Sequence, residues 1–306
     1  MPFSQKEKDF FNTLYKSIDI EPINVEEVYN KDITLSMLRM DKVHPIISGN
    51  KIFKLKYYLE QAREMSKKII TFGGAYSNHL VATAAICEEF QIDCIGKVRG
   101  ERPKILSPSL EYCLSHGMTL EFINRDQYDK EDEELRLNDF KLKNYLLIPS
   151  GGSGKEGLRG IGEIKSFYND NYTHVICPTG TATTIAGISL VSTIECIIGI
   201  NITKDKQDIY NRISKLISPN KSKKISIIND YNFGGYARST SDLFLFMNKF
   251  YEKTSIPTDF VYTGKMMFGV IDMIKKDFFK SGSKILCLHT GGLQGNLSLP
   301  HQKLIF

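Results

Sequence analysis

A lysine directly follows a glycine and an asparagine in Ser48-Gly49-Asn50-Lys51, where the chain turns into an amphipathic segment. Ile52, Leu55, Leu59 and Ala62 recur at helical spacing, so Lys51 is expected at or just before a helix N-terminus. The positive end of a helix dipole repels a cation. An amine that is desolvated, or close to other cations, loses its proton more readily, and a neutral amine attacks carbonyl carbon. The plain alternative is a solvated lysine, because the chain holds 40 Lys and Arg, and Lys54 and Lys56 stand nearby.

Other segments also carry polar groups on glycine-containing turns. Phe72-Gly73-Gly74-Ala75-Tyr76-Ser77-Asn78-His79 ends an apolar run, as does His289-Thr290-Gly291-Gly292. Pro178-Thr179-Gly180-Thr181-Ala182-Thr183-Thr184 precedes a helix, expected to open at Ile185. Its amides and hydroxyls suit an anion, or its threonines only cap the helix, and the residues leave both readings open. Ser150-Gly151-Gly152-Ser153-Gly154-Lys155 fails the P-loop pattern, since Glu156 follows the lysine and Pro149 stands where the first glycine belongs. It reads as a strand-to-helix crossover beside a cleft, with its helix at 159–167. Tyr231-Asn232-Phe233-Gly234-Gly235-Tyr236-Ala237 frames a small pocket or forms a surface loop. The six cysteines make no C-x-x-C pair and read as buried, reduced thiols. The six histidines include no H-E-x-x-H, and no metal is expected.

These turns need a frame, and apolar runs supply it. Strands are expected at 33–39, 67–72, 94–98, 119–123, 145–149, 173–177, 197–201 and 284–289. A short extended piece is expected at Asp259-Phe260-Val261-Tyr262. Helices are expected from Ser77, over 107–117, 204–217, 243–250 and 266–274, with a solvated one in the charged stretch 126–143; residues 1–30 read as a short helix plus an edge segment. Strand–helix–strand alternation implies a parallel sheet, whose carboxyl ends bind ligands. At 306 residues, 42% hydrophobic and 25% charged, this is an ordinary enzyme composition. The net charge of +5 is dispersed and does not indicate nucleic-acid binding. No apolar run is long enough to span a membrane, and residues 1–6 lack a signal-peptide character, so a cytoplasmic protein is expected.

The order Ser48-Gly49-Asn50-Lys51, Phe72 to His79, Pro178 to Thr184, Val261-Tyr262-Thr263-Gly264-Lys265 and His289 to Gly292 resembles the pyridoxal-phosphate enzymes of the 1-aminocyclopropane-1-carboxylate deaminase and D-cysteine desulfhydrase family. The resemblance runs from about residue 33 to 296. It implies an α/β chain of the tryptophan-synthase-β-like class (fold type II), with two open, mostly parallel sheets and flanking helices. It also implies a larger domain of 1–51 and 161–306 with a smaller domain, 52–160, inserted. By the same resemblance Lys51 holds the cofactor aldehyde and then moves protons, and Gly180, Thr181, Ala182, Thr183 and Thr184 cradle the phosphate. The family more often has glycine where Ala182 and Thr183 stand. Asn78 and Thr290 would lie at the cofactor. Ser77, Asn78, His79, Tyr236, Tyr262 and Thr263 would face the substrate, with Ser77 and Tyr262 joining Lys51 in catalysis. A homodimer is usual in the family.

Two positions separate the subfamilies. Deaminases that open the cyclopropane ring carry Glu after the tyrosine matched by Tyr262, and Leu before the late glycine pair. Thr263 and Thr290 here resemble the D-cysteine desulfhydrase pattern. A carboxylate near the pyridine nitrogen keeps it protonated and deepens the electron sink, which ring opening needs. A thiol, with a pKa of about 8.5, leaves more easily. The expectation is therefore α,β-elimination on a small D-amino acid, D-cysteine foremost. The alternatives are cyclopropane deamination, elimination on D-serine-like substrates, and a cofactor-binding protein without turnover.

Overall fold

The computed structural model describes residues 2–29, 31–137 and 143–306. Two sheets organise the chain. The larger has the order β1 (Ile20–Pro22), β2 (Ile33–Leu38), β10 (Ser283–Leu288), β7 (His174–Thr179), β8 (Cys196–Asn201) and β9 (Ile225–Ile228). The smaller has the order β5 (Met118–Ile123), β4 (Cys94–Arg99), β3 (Lys68–Gly73) and β6 (Tyr145–Ile148). Every pairing is parallel except the edge pair β1–β2. In chain order the helices are α1 (Gln5–Tyr15), α2 (Glu26–Tyr29), α3 (Lys51–Glu64), α4 (Asn78–Glu89), α5 (Pro108–Ser115) and α6 (Arg125–Leu137). They continue with α7 (Lys155–Gly162), α8 (Thr183–Val191), α9 (Lys206–Leu216), α10 (Pro219–Ser222), α11 (Ser241–Thr254) and α12 (Thr263–Lys275). The charged helix expected over 126–143 runs from Arg125 to Leu137, and 138–142 lie outside the described residues.

The large sheet is covered on both faces, which is why its strands read as unbroken apolar runs. Val175, Cys177, Leu286 and Leu288 point into one core, while Ile176, Ile285 and Cys287 point into another. All six cysteines are free thiols, and all but Cys196 are buried.

Three departures from the sequence reading bear on the site. The crossover helix begins at Lys155, not 159, and tightens to a 3-10 turn over Glu163–Phe167. Its glycines serve packing: a Cβ on Gly160 would lie 1.8 Å from the Phe53 carbonyl oxygen, so only glycine lets α7 lie this close to α3. Helix α8 begins at Thr183, two residues before Ile185. Residues 259–262 are not extended. They form a turn, closed by the Asp259 carboxylate, that starts α12 at Thr263 instead of Met266.

Candidate active site

The turn before α3 is held from three directions by one residue. Asn50 accepts from Lys51 Nζ at 3.0 Å and donates from Nδ2 to Thr184 Oγ1 at 2.8 Å. Its backbone N–H donates to the Thr290 carbonyl at 3.1 Å. Gly49 makes this approach possible. Its φ is +70°, and a Cβ there would lie 1.9 Å from the Thr290 oxygen. Burial lowers the Lys51 amine to about 8, with the Asp259 carboxylate acting in the opposite sense. At neutral pH roughly a tenth of such an amine is unprotonated, against almost none for an exposed lysine. Lys54, one turn further on, is only 3% exposed. Burial, then the neighbouring Lys51, hold its pKa well below the ordinary range.

Beyond β7 the chain turns through Gly180 to α8. Ala182 is the N-cap residue, in the left-handed region at φ 63°, and no side chain caps this helix end. The first amides of α8 therefore lack side-chain acceptors, which favours the anion reading over a threonine cap. The strain falls on Ala182 alone, at a cost of about 1 kcal/mol, because Thr183 is already helical. Thr181 and Thr183 hydroxyls are 3.3 Å apart, and Arg212 Nη1 donates to the Gly180 carbonyl at 3.1 Å. The Ser150–Gly152 turn lies between this loop and Lys54. A Cβ on Gly151 would be 3.0 Å from Thr181 Cγ2, and one on Gly152 would be 2.9 Å from Lys54 Cβ.

Ser77 caps α4, its Oγ accepting from Leu80 N at 3.2 Å, so the hydroxyl proton is free to point away. Asn78 Oδ1 is buried with no partner among the described residues. Its Nδ2 lies where a Cβ on Gly292 would come within 2.8 Å, which joins α4 to the late glycine pair. His79, expected at the substrate, is buried and committed at one edge. Its Nε2 is 2.7 Å from Thr71 Oγ1, which itself donates to the Ile148 carbonyl. Nε2 must then carry the proton, leaving Nδ1 as a buried acceptor without a partner among the described residues.

Asp259 is buried beneath the start of α12. Oδ1 accepts from Val261 N at 2.9 Å and Tyr262 N at 2.7 Å, and Oδ2 accepts from Thr263 N at 3.0 Å and Thr263 Oγ1 at 2.7 Å. Burial pushes this carboxyl up, while the bonds from Thr263 and Tyr262 push it down; the net direction is upward. The Thr263 hydroxyl thus gives its proton to a carboxylate. Thr290 makes no side-chain hydrogen bond among the described residues. The Tyr262 hydroxyl donates to Tyr236 at 3.4 Å, and the Tyr262 ring borders Gly180, where a Cβ would be 3.8 Å from Cε1. Tyr236 stands at the rim, 58% exposed.

Ser77 to His79, Gly180 to Thr184 and Thr290 thus follow the carboxyl ends of β3, β7 and β10, and the contacts above tie Lys51, Tyr262 and Tyr236 to them. A family model described as pyridoxal-phosphate dependent enzyme matches residues 32–291. The chain belongs to this family. It shares 29% identity with a Thermotoga maritima protein named "Putative 1-aminocyclopropane-1-carboxylate deaminase", over 84% of this chain and 88% of that one. It is equally similar, at 29%, to an Arabidopsis thaliana protein named bifunctional D-cysteine desulfhydrase/1-aminocyclopropane-1-carboxylate deaminase, mitochondrial, over 81% of this chain and 70% of that one. A solved structure described as an ACC deaminase homologue superposes with a TM-score of 0.73 at 25% identity, covering 94% of this chain and 95% of that one. The protein is a pyridoxal-phosphate-dependent lyase or deaminase of fold type II, and its cofactor is pyridoxal phosphate.

The residues present fit that cofactor. They offer a half-buried amine of lowered pKa, helix amides without a side-chain cap, a second, buried lysine across the Ser150–Gly152 turn, and two buried polar atoms without a partner among the described residues, Asn78 Oδ1 and His79 Nδ1. Among the described residues no group of three or more His, Cys, Asp or Glu is arranged to hold a metal. No helix of the described residues is long and apolar enough to cross a membrane. Sequence reasoning missed Lys54, Asn50 as a bridge, and Asp259. The spacing of an aspartate four residues before Thr263 was the available signal for the last.

Proposed function

We propose that the chain eliminates a thiol from a small D-amino acid, D-cysteine giving pyruvate, ammonia and hydrogen sulfide. The carrying observation is a neutral hydroxyl at each of two positions, Thr263 and Thr290, where the ring-opening deaminases have Glu and Leu. Pyridoxal phosphate, when bound, supplies the sink for electrons left on Cα. Lys51 would hold it by the aldehyde, while the α8 amides, the Thr181, Thr183 and Thr184 hydroxyls and Lys54 would hold its phosphate. Asn78 and the free Thr290 hydroxyl would border its ring.

Lys51, once released, takes the proton from Cα, and its lowered pKa supports that work near neutral pH. Ser77 and the α4 amides orient the substrate carboxylate, as a helix N-terminus favours an anion. Tyr262, with Tyr236 at its hydroxyl, faces the departing thiol and keeps water from the reacting carbon. His79 borders the pocket through Nδ1 only, since Nε2 is held by Thr71. Sulfide and keto acid released from D-cysteine, L-cysteine and the cyclopropane amino acid test the reading. Release of keto acid chiefly from the cyclopropane substrate would replace it.

One observation favours that second reading, cyclopropane deamination: Asp259 puts a carboxylate one hydrogen bond behind Thr263, so the Thr263 oxygen is polarised toward accepting a proton. We further propose a cytoplasmic homodimer, with 52–160 as the smaller inserted domain and 1–51 with 161–306 as the larger. The four strands of the small sheet all falling within 68–148 supports that division. A monomer mass in light scattering would exclude the dimer.

A further inference from the structure

The Tyr262-Thr263-Gly264-Lys265 motif leaves one residue without a task. Lys265 is wholly buried, and its Nζ donates to the carbonyls of Asn232 at 2.8 Å and Gly235 at 2.7 Å. No carboxylate pairs with it among the described residues. Asp259 is the anion whose field it feels, and burial lowers the amine to about 8. An ammonium buried against two carbonyls is costly to desolvate, so it marks a segment that must be held.

That segment is a bent turn. Phe233, Gly234, Gly235 and Ala237 have φ of 52°, 90°, 110° and 54°. The two non-glycine residues in that region cost about 1 kcal/mol each. The Phe233 ring packs edge-on against Phe268 of α12, centroids 4.9 Å apart, and Asn232 Oδ1 closes its own turn on Gly234 N at 2.9 Å. The turn ends in Tyr236, whose ring centroid lies 6.1 Å from that of Tyr262. Tyr262, the N-cap residue of α12, and Lys265, in its first turn, both reach this segment, Tyr262 through the Tyr236 hydroxyl and Lys265 through the Asn232 and Gly235 carbonyls.

We propose that Lys265 is a positioning residue, a buried clasp that fixes the 232–236 turn on α12 and so sets Tyr236 beside Tyr262 at the mouth of the site. The functional half of this rests on the proposed reading of the two tyrosines as substrate-facing. The mechanical half does not.

Amide hydrogen exchange on the cofactor-loaded protein separates the two. In Lys265→Met, amides of 232–238 exchange about tenfold faster or more, the local opening expected on losing two charge-assisted bonds, while those of β7 and β10 keep their rates. KM for D-cysteine rises about tenfold, with kcat within about threefold and the cofactor's visible absorption unchanged. Lys265→Arg, which keeps donors, restores part of both. Tyr236→Ala reproduces the KM rise without faster exchange in the turn. Should Lys265→Met not fold, Gly235→Ala disturbs the turn from its outer side, where a Cβ would lie 2.8 Å from Lys204 Cγ, and gives the same pattern. Unchanged exchange in the turn, or exchange raised equally in β7 and β10, overturns the clasp. Faster exchange with no change of KM for any amino acid supports the clasp and overturns the substrate-facing reading of Tyr236.

Discussion

At the start of α3 two lysines are withdrawn from water at the positive end of a helix, Lys51 half-buried and Lys54 buried. At the start of α12 a buried carboxylate, Asp259, stands at the same end of another. Burial opposes the charged form in both places, lowering the amines and raising the acid. The difference lies in what answers it. Asp259 receives four hydrogen bonds from the turn it closes, and the dipole of α12 favours an anion there. Lys51 has one side-chain bond, to the adjacent Asn50, and the dipole of α3 disfavours it. The first arrangement builds a rigid helix start. The second leaves an amine that sheds its proton easily and a cation pair suited to an anion not supplied by the chain.

Removing Lys51 should have the largest effect. Lys51→Ala is expected to lower turnover on the order of a thousandfold or more, losing the visible absorption of a lysine-linked cofactor while retaining cofactor through the phosphate loop. An unchanged spectrum would identify another lysine as the attachment point.

The next largest effect concerns pH and the cofactor-free chain. The unfolded lysine has a pKa near 10.5 and the folded one about 8, so the unfolded state holds more protons between those values. Stability contributed at this site therefore rises with pH through that window, and the cost is fully present below about pH 8. Lys51→Met should accordingly be the more stable chain at pH 7, by on the order of 3 kcal/mol, with the gap closing toward pH 10.5. Urea unfolding across the range measures it. A gap independent of pH would mean the amine is not desolvated.

Asp259→Asn should act in the opposite direction, destabilising by about 2 kcal/mol, because an amide cannot accept from all four donors. Equal unfolding midpoints for variant and parent would show that the turn closes without the carboxylate.

Exchanging the two threonines tests the same contrast at the level of substrate. Thr263→Glu with Thr290→Leu puts a second carboxylate beside Asp259. It should shift the ratio of D-cysteine to cyclopropane turnover about tenfold toward the latter at matched cofactor loading. Loss of stability with an unchanged ratio would reduce both threonines to turn formers. Ala182→Gly is the mildest change. Relief of the left-handed strain and the added freedom of glycine nearly cancel, so stability should move by less than about 1 kcal/mol.

The sequence carried the strands and the lysine turn plainly, because apolar runs of six residues between glycine turns have few other uses. Its failures share one cause. Asp259 to Tyr262 reads as extended because Phe260, Val261 and Tyr262 favour strands, yet a side-chain carboxylate bonding three successive amides overrides that preference. The crossover helix reads as starting at Arg159, four residues late, because Gly154 and Gly157 weaken the helical pattern there, while close packing requires Gly157 and Gly160. Lys54 reads as one solvated lysine among many, because burial of a cation is decided by segments distant in sequence. The family and its cofactor were legible through likeness, whereas the hydrogen bond from Thr263 to Asp259 is invisible in one dimension.

The contact between Gly49 and the Thr290–Gly291 backbone has a kinetic meaning as well. It ties a turn near the beginning of the chain to one near its end, and such distant closures are slow to form. During synthesis the lysine turn emerges long before the segment that completes it. A chain stopped short of Thr290 would own every atom of Lys51 yet lack the wall behind it. The lysine turn is therefore complete only once β10 has paired with β2 and brought Thr290 behind it.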